Sequence, residues 1–238
     1  MSIIKSSGIP SMTVNKTINY LSKAYCAVIN NNIPIKKLPS VMLWGPPGVG
    51  KSQAIRQLAK IIEDDTGKKS VITDVRLLLF NPIDLRGIPT SNADKTLAIW
   101  LKPQIFQMDD SEDIVNILFL DEISAAPQSV QAAAYQITLD RVVGEHKLPE
   151  NCIVIAAGNR TTDKSVAFKM PKALANRLLH IEVEGNANLR LLVDEIKIYE
   201  SDKRLKIEIN LKANFTKHFE IYGESGENHN LILQDLRK

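Results

Sequence analysis

The sequence has little of several features that mark specialised classes of protein. Its 238 residues include two cysteines and 5% aromatic residues, and no apolar run approaches the roughly eighteen residues of a membrane-spanning helix. Cys26 and Cys152 form no CxxC pair, which predicts two buried free thiols rather than a metal site or a disulfide framework. The first ten residues show neither a long apolar region nor a small-residue cleavage site, so we expect no signal peptide and a cytoplasmic location.

A strong charge of either sign is also missing. The chain has 30 Lys and Arg against 27 Asp and Glu, a formal net charge of +3. Its basic residues form no five-residue run and are not interleaved with aromatic residues, which argues against a nucleic-acid partner. With 44% hydrophobic and 24% charged residues, the composition is typical of a soluble globular protein with a sizeable core.

The most informative motif is a phosphate-binding loop. Residues 45–52 read GPPGVGKS, the pattern GxxxxGK(S/T), directly after the apolar run Val41–Trp44. Such a loop exposes backbone N–H groups to a polyphosphate, while Lys51 reaches the β- and γ-phosphates and Ser52 holds Mg²⁺. The alternative is a chance match in a glycine-rich turn, which the preceding strand and following helix disfavour. The predicted nucleotide contacts are Gly45, Pro46, Pro47, Gly48, Val49, Gly50, Lys51, Ser52 and Gln53.

Apolar runs and helical periodicities alternate along the chain. Strands are predicted at 41–44, 71–80, 117–120, 153–157 and 180–183. Helices are predicted at 13–30, 53–64 and 127–140. This alternation indicates an α/β fold with a parallel sheet covered on both faces. Residues 81–110 are expected to be irregular, and residues 141–149 to form a turn or small hairpin about Gly144.

A pair of carboxylates follows one of the predicted strands. The run ILFLDE places Asp121 and Glu122 at the carboxyl end of a buried strand, where sites in such sheets collect. We predict that Asp121 binds Mg²⁺ beside Ser52 and that Glu122 is the general base that orients and deprotonates the attacking water. The alternative is an acidic pair that caps the next helix, since Pro127 follows closely. Four large apolar residues before the carboxylates favour the catalytic interpretation.

Asn159 follows the next buried strand, in the sequence AAGNRTTD. An amide there could lie beside the γ-phosphate and hold the water in line. The alternative is a plain turn residue, because Gly-Asn is common in turns. The position after a neighbouring core strand favours a place in the site.

Taken in order, GPPGVGKS, ILFLDE, AAGN and PKALANR (residues 171–177) resemble AAA+ ATPases of the MoxR group. The stretches at 74–89 (DVRLLLFNPIDLRGIP) and 119–149 are similar to that group as well, and the resemblance covers about residues 10–185. It implies a three-layer P-loop NTPase fold with a five-stranded parallel sheet flanked by helices. It also implies rings, commonly hexamers, with ATP between neighbouring subunits.

The resemblance also implies roles for single residues. Asn159 matches the sensor asparagine after the fourth strand, and Arg177 matches the arginine finger that acts on the ATP of the adjacent subunit. A guanidinium suits phosphate oxygens, although a helix-end arginine facing solvent is the alternative. The hairpin at 143–148 matches an insert that faces the ring pore or a client. Three further arginines are left without a role: Arg86, Arg141 and Arg160.

The C-terminal part of the chain departs from the family, whose members continue into a helical lid with a second sensor arginine. Only Asn188–Tyr199 has a helical pattern. Residues 205–211 instead alternate like a half-buried strand, with short partners expected at 219–221 and 231–233.

Together these observations predict an AAA+ core domain at 1–185 and a divergent or truncated segment at 186–238 in place of the lid. The favoured function is an ATP-hydrolysing AAA+ protein that remodels or matures partner proteins. The resemblance implies ATP and Mg²⁺ as cofactors, a homo-oligomeric ring, and a protein client or von Willebrand factor A-domain partner. The alternative is a nucleotide-dependent scaffold or switch with little turnover. A nucleic-acid motor is disfavoured by the near-neutral charge.

Overall fold

A computed structural model describes residues 9–160 and 177–184, together with the backbone of strands at 193–201, 204–211 and 215–222. The chain divides into two compact units, Met1–Gly185 and Asn186–Lys238.

The first unit alternates strands with helices. Its strands are β1 (Ser11–Thr13), β2 (Val41–Trp44), β3 (Lys69–Arg76), β4 (Ile88–Ser91), β5 (Ala98–Leu101), β6 (Ile114–Asp121), β7 (Val142–Val143), β8 (His146–Lys147), β9 (Cys152–Gly158) and β10 (Leu179–Glu184). Its helices are α1 (Val14–Asn30), α2 (Lys51–Thr66), α3 (Pro82–Arg86) and α4 (Gln128–Asp140). Short 3₁₀ turns cover Ile35–Lys37, Leu77–Leu79 and Gln104–Phe106.

The main sheet has six strands in the order β1-β10-β2-β9-β6-β3, and every neighbouring pair is parallel. The predicted α/β fold is therefore confirmed, but the expected strand number of five was one too low. The additional strand is β1, whose Ser11–Thr13 pairs with Glu182–Glu184 of β10. Three residues are too few to show a period-2 pattern, so the sequence gives no sign of this strand.

Both faces of the sheet are buried, and residues of β6, which lies between β9 and β3, alternate between them. Ile117 and Phe119 pack in a cluster with residues of α1 and α2. Leu118 and Leu120 pack in a second cluster that includes residues of α4. All four side chains are at most 1% exposed. This two-sided burial explains the uninterrupted apolar run.

Both cysteines are buried and free, as their isolation in the sequence predicted. Cys26 lies in α1, and Cys152 begins β9 with no exposed surface. Burial raises the pKa of the Cys152 thiol to about 11, so this group is protonated and unreactive at neutral pH.

The region between β3 and β6 differs most from its prediction. The strand expected at 71–80 ends at Arg76, and the 3₁₀ turn Leu77–Leu79 follows it. Residues 81–110, expected to be irregular, contain α3 and the antiparallel hairpin β4–β5. Pro89 in β4 hid this hairpin, because proline is tolerated in an edge strand but weakens the strand pattern.

The described residues of the second unit form three antiparallel strands, β11 (Val193–Ser201), β12 (Arg204–Leu211) and β13 (Phe215–Tyr222), in the order β11-β12-β13. The strand predicted at 205–211 is confirmed, and so is its partner at 219–221. The helix predicted at 188–199 is wrong from Val193 onwards, and the strand predicted at 231–233 lies outside the described residues.

The cause of the wrong helix prediction is pairing between strands. In β11, Ile196 and Ile198 lie opposite Ile209 and Ile207 of β12. Backbone pairing with β12 along this register overrides the weak helical periodicity of the segment.

In the part of the chain that the structure describes, no helix has both the length and the apolar character needed to cross a bilayer.

Candidate active site

A pocket opens at the carboxyl edge of the main sheet, the edge at which the parallel strands end. The loop after β2, the ends of β3 and β6 and the end of β9 surround it. Its volume is about 290 Å³. The lining residues are Pro47, Gly48, Gly50, Lys51, Ser52, Gln53, Arg76, Asp121, Glu122, Gly158 and Asn159. Residues that are far apart in the sequence thus meet because parallel strands bring their carboxyl ends together.

The loop between β2 and α2 has the backbone shape of an anion cradle. Gly48 and Gly50 have positive φ angles of 75° and 96°, which residues with a side chain rarely adopt. Gly50 is also the N-cap residue of α2 and provides no side chain there. The first turn of α2 therefore directs its backbone N–H groups and the positive end of its dipole at the pocket, as phosphate sites require.

Lys51 is bound by the loop itself. Its Nζ donates hydrogen bonds to the carbonyl oxygens of Gly45 at 2.7 Å and Pro46 at 3.0 Å. It also lies 3.2 Å from Oδ1 of Asn159. These contacts link the loop to the end of β9. Three predicted nucleotide contacts are outside the pocket lining. Gly45 and Pro46 accept the hydrogen bonds from Lys51, and Val49 packs against the core cluster on the α1–α2 face.

Ser52 and Asp121 form the oxygen pair expected of a magnesium site. The Ser52 hydroxyl donates a hydrogen bond of 3.1 Å to Oδ2 of Asp121. Mg²⁺ prefers oxygen ligands and commonly takes one or two protein groups together with substrate phosphates and water. A hydroxyl and a carboxylate this close together beside the phosphate loop fit that requirement.

Glu122 adopts an unusual backbone conformation at the end of β6. Its φ angle is 59°, in the left-handed region that a residue with a side chain enters at a cost of about 1–3 kcal/mol. The turn is held on both sides, because Glu122 N donates to Oδ1 of Asp121 at 2.9 Å and Ile123 N donates to the Ala157 carbonyl at 2.9 Å. The surrounding structure thus holds the Glu122 side chain at the pocket wall, next to Asp121.

Asn159 is positioned through its backbone. Its N–H donates to the hydroxyl of buried Ser124 at 2.8 Å. The preceding residue, Gly158, leaves space for this contact, because a Cβ there would lie 2.9 Å from Ser124 Oγ and 2.8 Å from Met42 Cε. Ser124 therefore fixes the loop that carries Asn159, a role that no local sequence pattern indicates.

Arg177 does not line the pocket. It is exposed and lies two residues before β10, whose Leu179 pairs with Val41 at the start of β2. Arg177 is thus at the amino edge of the sheet, where the parallel strands begin. At about 3.3 Å per strand residue, roughly 20 Å of sheet separates it from the phosphate loop of its own chain.

The three arginines left without a role have structural contacts. Arg160 forms an ion pair with Glu182, which is only 5% exposed. Arg141 donates to the backbone carbonyl of Cys152. The carbonyl of Arg86 lies against Gly144, so close that a Cβ at Gly144 would collide with it. This last contact joins the hairpin β7–β8, predicted about Gly144, to the end of α3.

Of the lining residues, Gly158 and Arg76 were not predicted from the sequence, and Arg76 is the charged one of the two. It ends β3 and lies level with Asp121 in the register of the two parallel strands. Since β3 was predicted to continue to Phe80, Arg76 was placed inside a strand rather than at its end. A correct strand boundary would have identified it.

Comparison with known proteins agrees with this geometry. Residues 40–180 match the ATPase family associated with various cellular activities (AAA). A candidate ABC transporter ATP-binding protein from Mycoplasma pneumoniae is 23% identical over 186 residues, which are 78% of this chain and 27% of that protein. The chain therefore spans about a quarter of the length of this relative.

Two solved structures resemble part of this chain at lower sequence identity than the Mycoplasma relative. A candidate ATPase from Cytophaga hutchinsonii is 17% identical, with a TM-score of 0.43, and the match covers 74% of this chain and 52% of that one. A RuvB variant from Thermotoga maritima is 20% identical, also with a TM-score of 0.43, over 70% of this chain and 44% of that one. The family match over more than half of the chain is decisive: the protein belongs to the AAA family of ATPases.

Proposed function

We propose that this protein binds ATP with Mg²⁺ and hydrolyses it. The observation that carries the proposal is the meeting of five polar groups, of four chemical kinds, at one pocket. The Ser52 hydroxyl is 3.1 Å from the Asp121 carboxylate, and the Lys51 ammonium is 3.2 Å from the Asn159 amide. Glu122 completes the set at the same wall. Phosphoryl transfer needs a cradle, a metal-binding carboxylate and a group that orients the nucleophile, and these residues supply all three.

In this proposal the loop binds the polyphosphate. Backbone N–H groups of residues 48–52 surround the phosphates, and Lys51 exchanges its loop carbonyl acceptors for phosphate oxygens. Ser52 and Asp121 would hold Mg²⁺, which neutralises charge on the phosphates when bound. Because α2 begins at Lys51, its dipole adds to the attraction.

Glu122 is the proposed general base. Its left-handed backbone holds the carboxylate at the pocket wall. There it would accept a proton from water as the water oxygen bonds to the γ-phosphorus and the bond to the β–γ bridging oxygen breaks, which releases ADP. Asn159 orients the same water through its amide. Its backbone bond to Ser124 keeps this amide in place, as a preorganised site requires.

We also propose that the site is completed by another subunit. Arg177 is exposed at the amino edge, roughly 20 Å from its own phosphate loop. It would act on the ATP of a neighbouring subunit in a ring, with residues 1–185 as the AAA+ core and residues 186–238 in place of a helical lid. ATP-driven motions of such a ring would remodel a protein client, with a von Willebrand factor A-domain partner as in MoxR-like proteins.

The substitution Glu122→Gln tests the proposed chemistry. It keeps the size of the side chain but removes the base, so turnover should fall by about 10²–10⁴-fold while binding of ATP stays near the parent value. Steady-state phosphate release and calorimetric titration with ATP measure the two quantities. The matched control is Glu63→Gln on the exposed face of α2, which should change neither. Hydrolysis by Glu122→Gln at the parent rate would refute the assigned role of Glu122.

A second candidate function is a nucleotide-dependent scaffold that changes state with little turnover. It is favoured by the antiparallel strands β11–β13, since a family lid would be helical in this part of the chain. Turnover measured over a range of protein concentrations separates the two functions. A rate per subunit that rises with concentration supports hydrolysis with an arginine from a neighbour, whereas negligible turnover at every concentration supports the scaffold.

A further inference from the structure

Arg76 is the second cation of the pocket. Among the described lining residues, Lys51 and Arg76 carry positive charge, and Asp121 and Glu122 carry negative charge. These four charges cancel one another. The triphosphate of ATP would add several negative charges. The phosphate loop offers Lys51 as its basic side chain against them, so the second cation, Arg76, would be needed as well.

The position of Arg76 is fixed by its neighbours in the chain. Val75 and Leu77 have no exposed surface and anchor the end of β3 in the core. Arg76 lies between them and is exposed at the pocket. Because the backbone is already held, binding an anion would order only the side chain, and the planar guanidinium loses less freedom per hydrogen bond than other long cations.

The register of the sheet defines which part of a nucleotide Arg76 would face. Arg76 pairs with Asp121 across the parallel strands β3 and β6, and Asp121 is the residue that contacts Ser52. Arg76 is therefore on the far side of the metal-binding carboxylate from the phosphate loop. Glu122 follows Asp121 in the chain and lines the same pocket, so Arg76 lies near these carboxylates rather than near the loop. The terminal phosphate must lie beside them if Glu122 is to deliver water to it.

We propose that Arg76 binds the γ-phosphate of ATP from its own subunit. This inference rests on the proposed function and adds a residue to the same site. Arg76 would bind oxygens of the terminal phosphate through its guanidinium fork. It would make the pocket selective for a triphosphate over a diphosphate, since ADP has no phosphate at that position.

The test is the binding preference of Arg76→Gln in the full chain, measured by calorimetry with Mg²⁺. The probes are ADP and the non-hydrolysable analogue AMP-PNP. We expect AMP-PNP to bind about tenfold or more weakly, the usual effect of losing a hydrogen bond to a charged group. ADP binding should change by less than about threefold. The matched control is Arg56→Gln on the exposed face of α2, which should leave both affinities unchanged.

Two results would overturn the proposal: an Arg76→Gln variant with the parent preference for AMP-PNP, or one that loses both affinities equally while remaining folded. If Arg76→Gln does not fold, the same two affinities measured on Arg76→Lys test the proposal. Lysine keeps the charge but lacks the fork, so the preference should still fall measurably, and an unchanged preference contradicts the assignment. A parent protein that binds no AMP-PNP would instead refute the proposed function, so the two failures are distinguishable.

Discussion

The two edges of the main sheet use their polar residues in different ways. At the carboxyl edge, polar side chains from four strand ends surround one pocket. At the amino edge, buried polar side chains donate hydrogen bonds within the fold, to backbone carbonyls and to one another. Asn116 in β6 is 1% exposed and donates to the Asp109 carbonyl at 2.6 Å and to Oδ1 of Asn151 at 3.0 Å. Ser40, just before β2, donates to the Thr138 carbonyl at 2.5 Å.

The carboxyl edge therefore holds the groups proposed for chemistry, whereas the amino edge holds groups that support the fold. Polar groups at the amino edge satisfy buried backbone atoms, which would otherwise destabilise the fold. Groups at the carboxyl edge are held in place by such bonds but still line an open pocket. Arg177 is the exception, because it is exposed at the amino edge and is proposed to act on the ATP of a neighbouring subunit. An exposed arginine there can serve a neighbouring molecule but not its own pocket.

The largest effect is expected for Arg177→Ala. If Arg177 stabilises the transition state in a neighbouring site, its removal should lower the turnover number by about 10³–10⁵-fold. Binding of ATP to the subunit's own pocket should stay near the parent value, because Arg177 lies at the opposite edge. Turnover assays and calorimetric titration measure the two quantities.

Arg56→Ala is the control for this prediction, because Arg56, like Arg177, is exposed and does not line the pocket. An Arg177→Ala variant with parent turnover would show that the amino edge takes no part in chemistry.

A smaller effect, on stability alone, is expected for Asn116→Ala. The substitution removes the two hydrogen bonds that the buried Asn116 amide donates, to the carbonyl of Asp109 and to the side chain of Asn151. Such a loss costs about 1–3 kcal/mol of unfolding free energy. Urea denaturation measures it, and the nucleotide affinity of the folded protein should be unchanged.

Asn19→Ala on the exposed side of α1 is the matched control and should change the unfolding free energy by less than about 0.5 kcal/mol. A large loss of nucleotide affinity in folded Asn116→Ala would contradict the division between the two edges.

Features encoded in contiguous sequence could be predicted. The phosphate loop, the apolar strand before Asp121 and the amphipathic helix α1 each leave a local pattern, because a buried strand needs a run of apolar residues and a surface helix needs apolar periodicity. Strand ends could then be aligned, which placed Asp121 and Asn159 at the same edge as Lys51.

Features created by pairing with distant residues could not be predicted. The strand β11 is stabilised by β12 rather than by its own pattern, and β1 is only three residues long. Ser124 positions Asn159 from 35 residues away in the sequence. Arg76 belongs to the pocket only because β3 ends where it does, after which the chain turns at Leu77.

Mixing two inactive variants tests the central claim, that one subunit's carboxyl edge works with another subunit's Arg177. Lys51→Ala removes the phosphate-binding ammonium but keeps Arg177, and Arg177→Ala keeps an intact pocket. When the two are combined, ATP turnover should reappear, because intact pockets then meet intact arginines, and it should depend on the mixing ratio. Turnover that stays at the level of the separate variants at every ratio, under conditions in which the parent is active, would contradict the account.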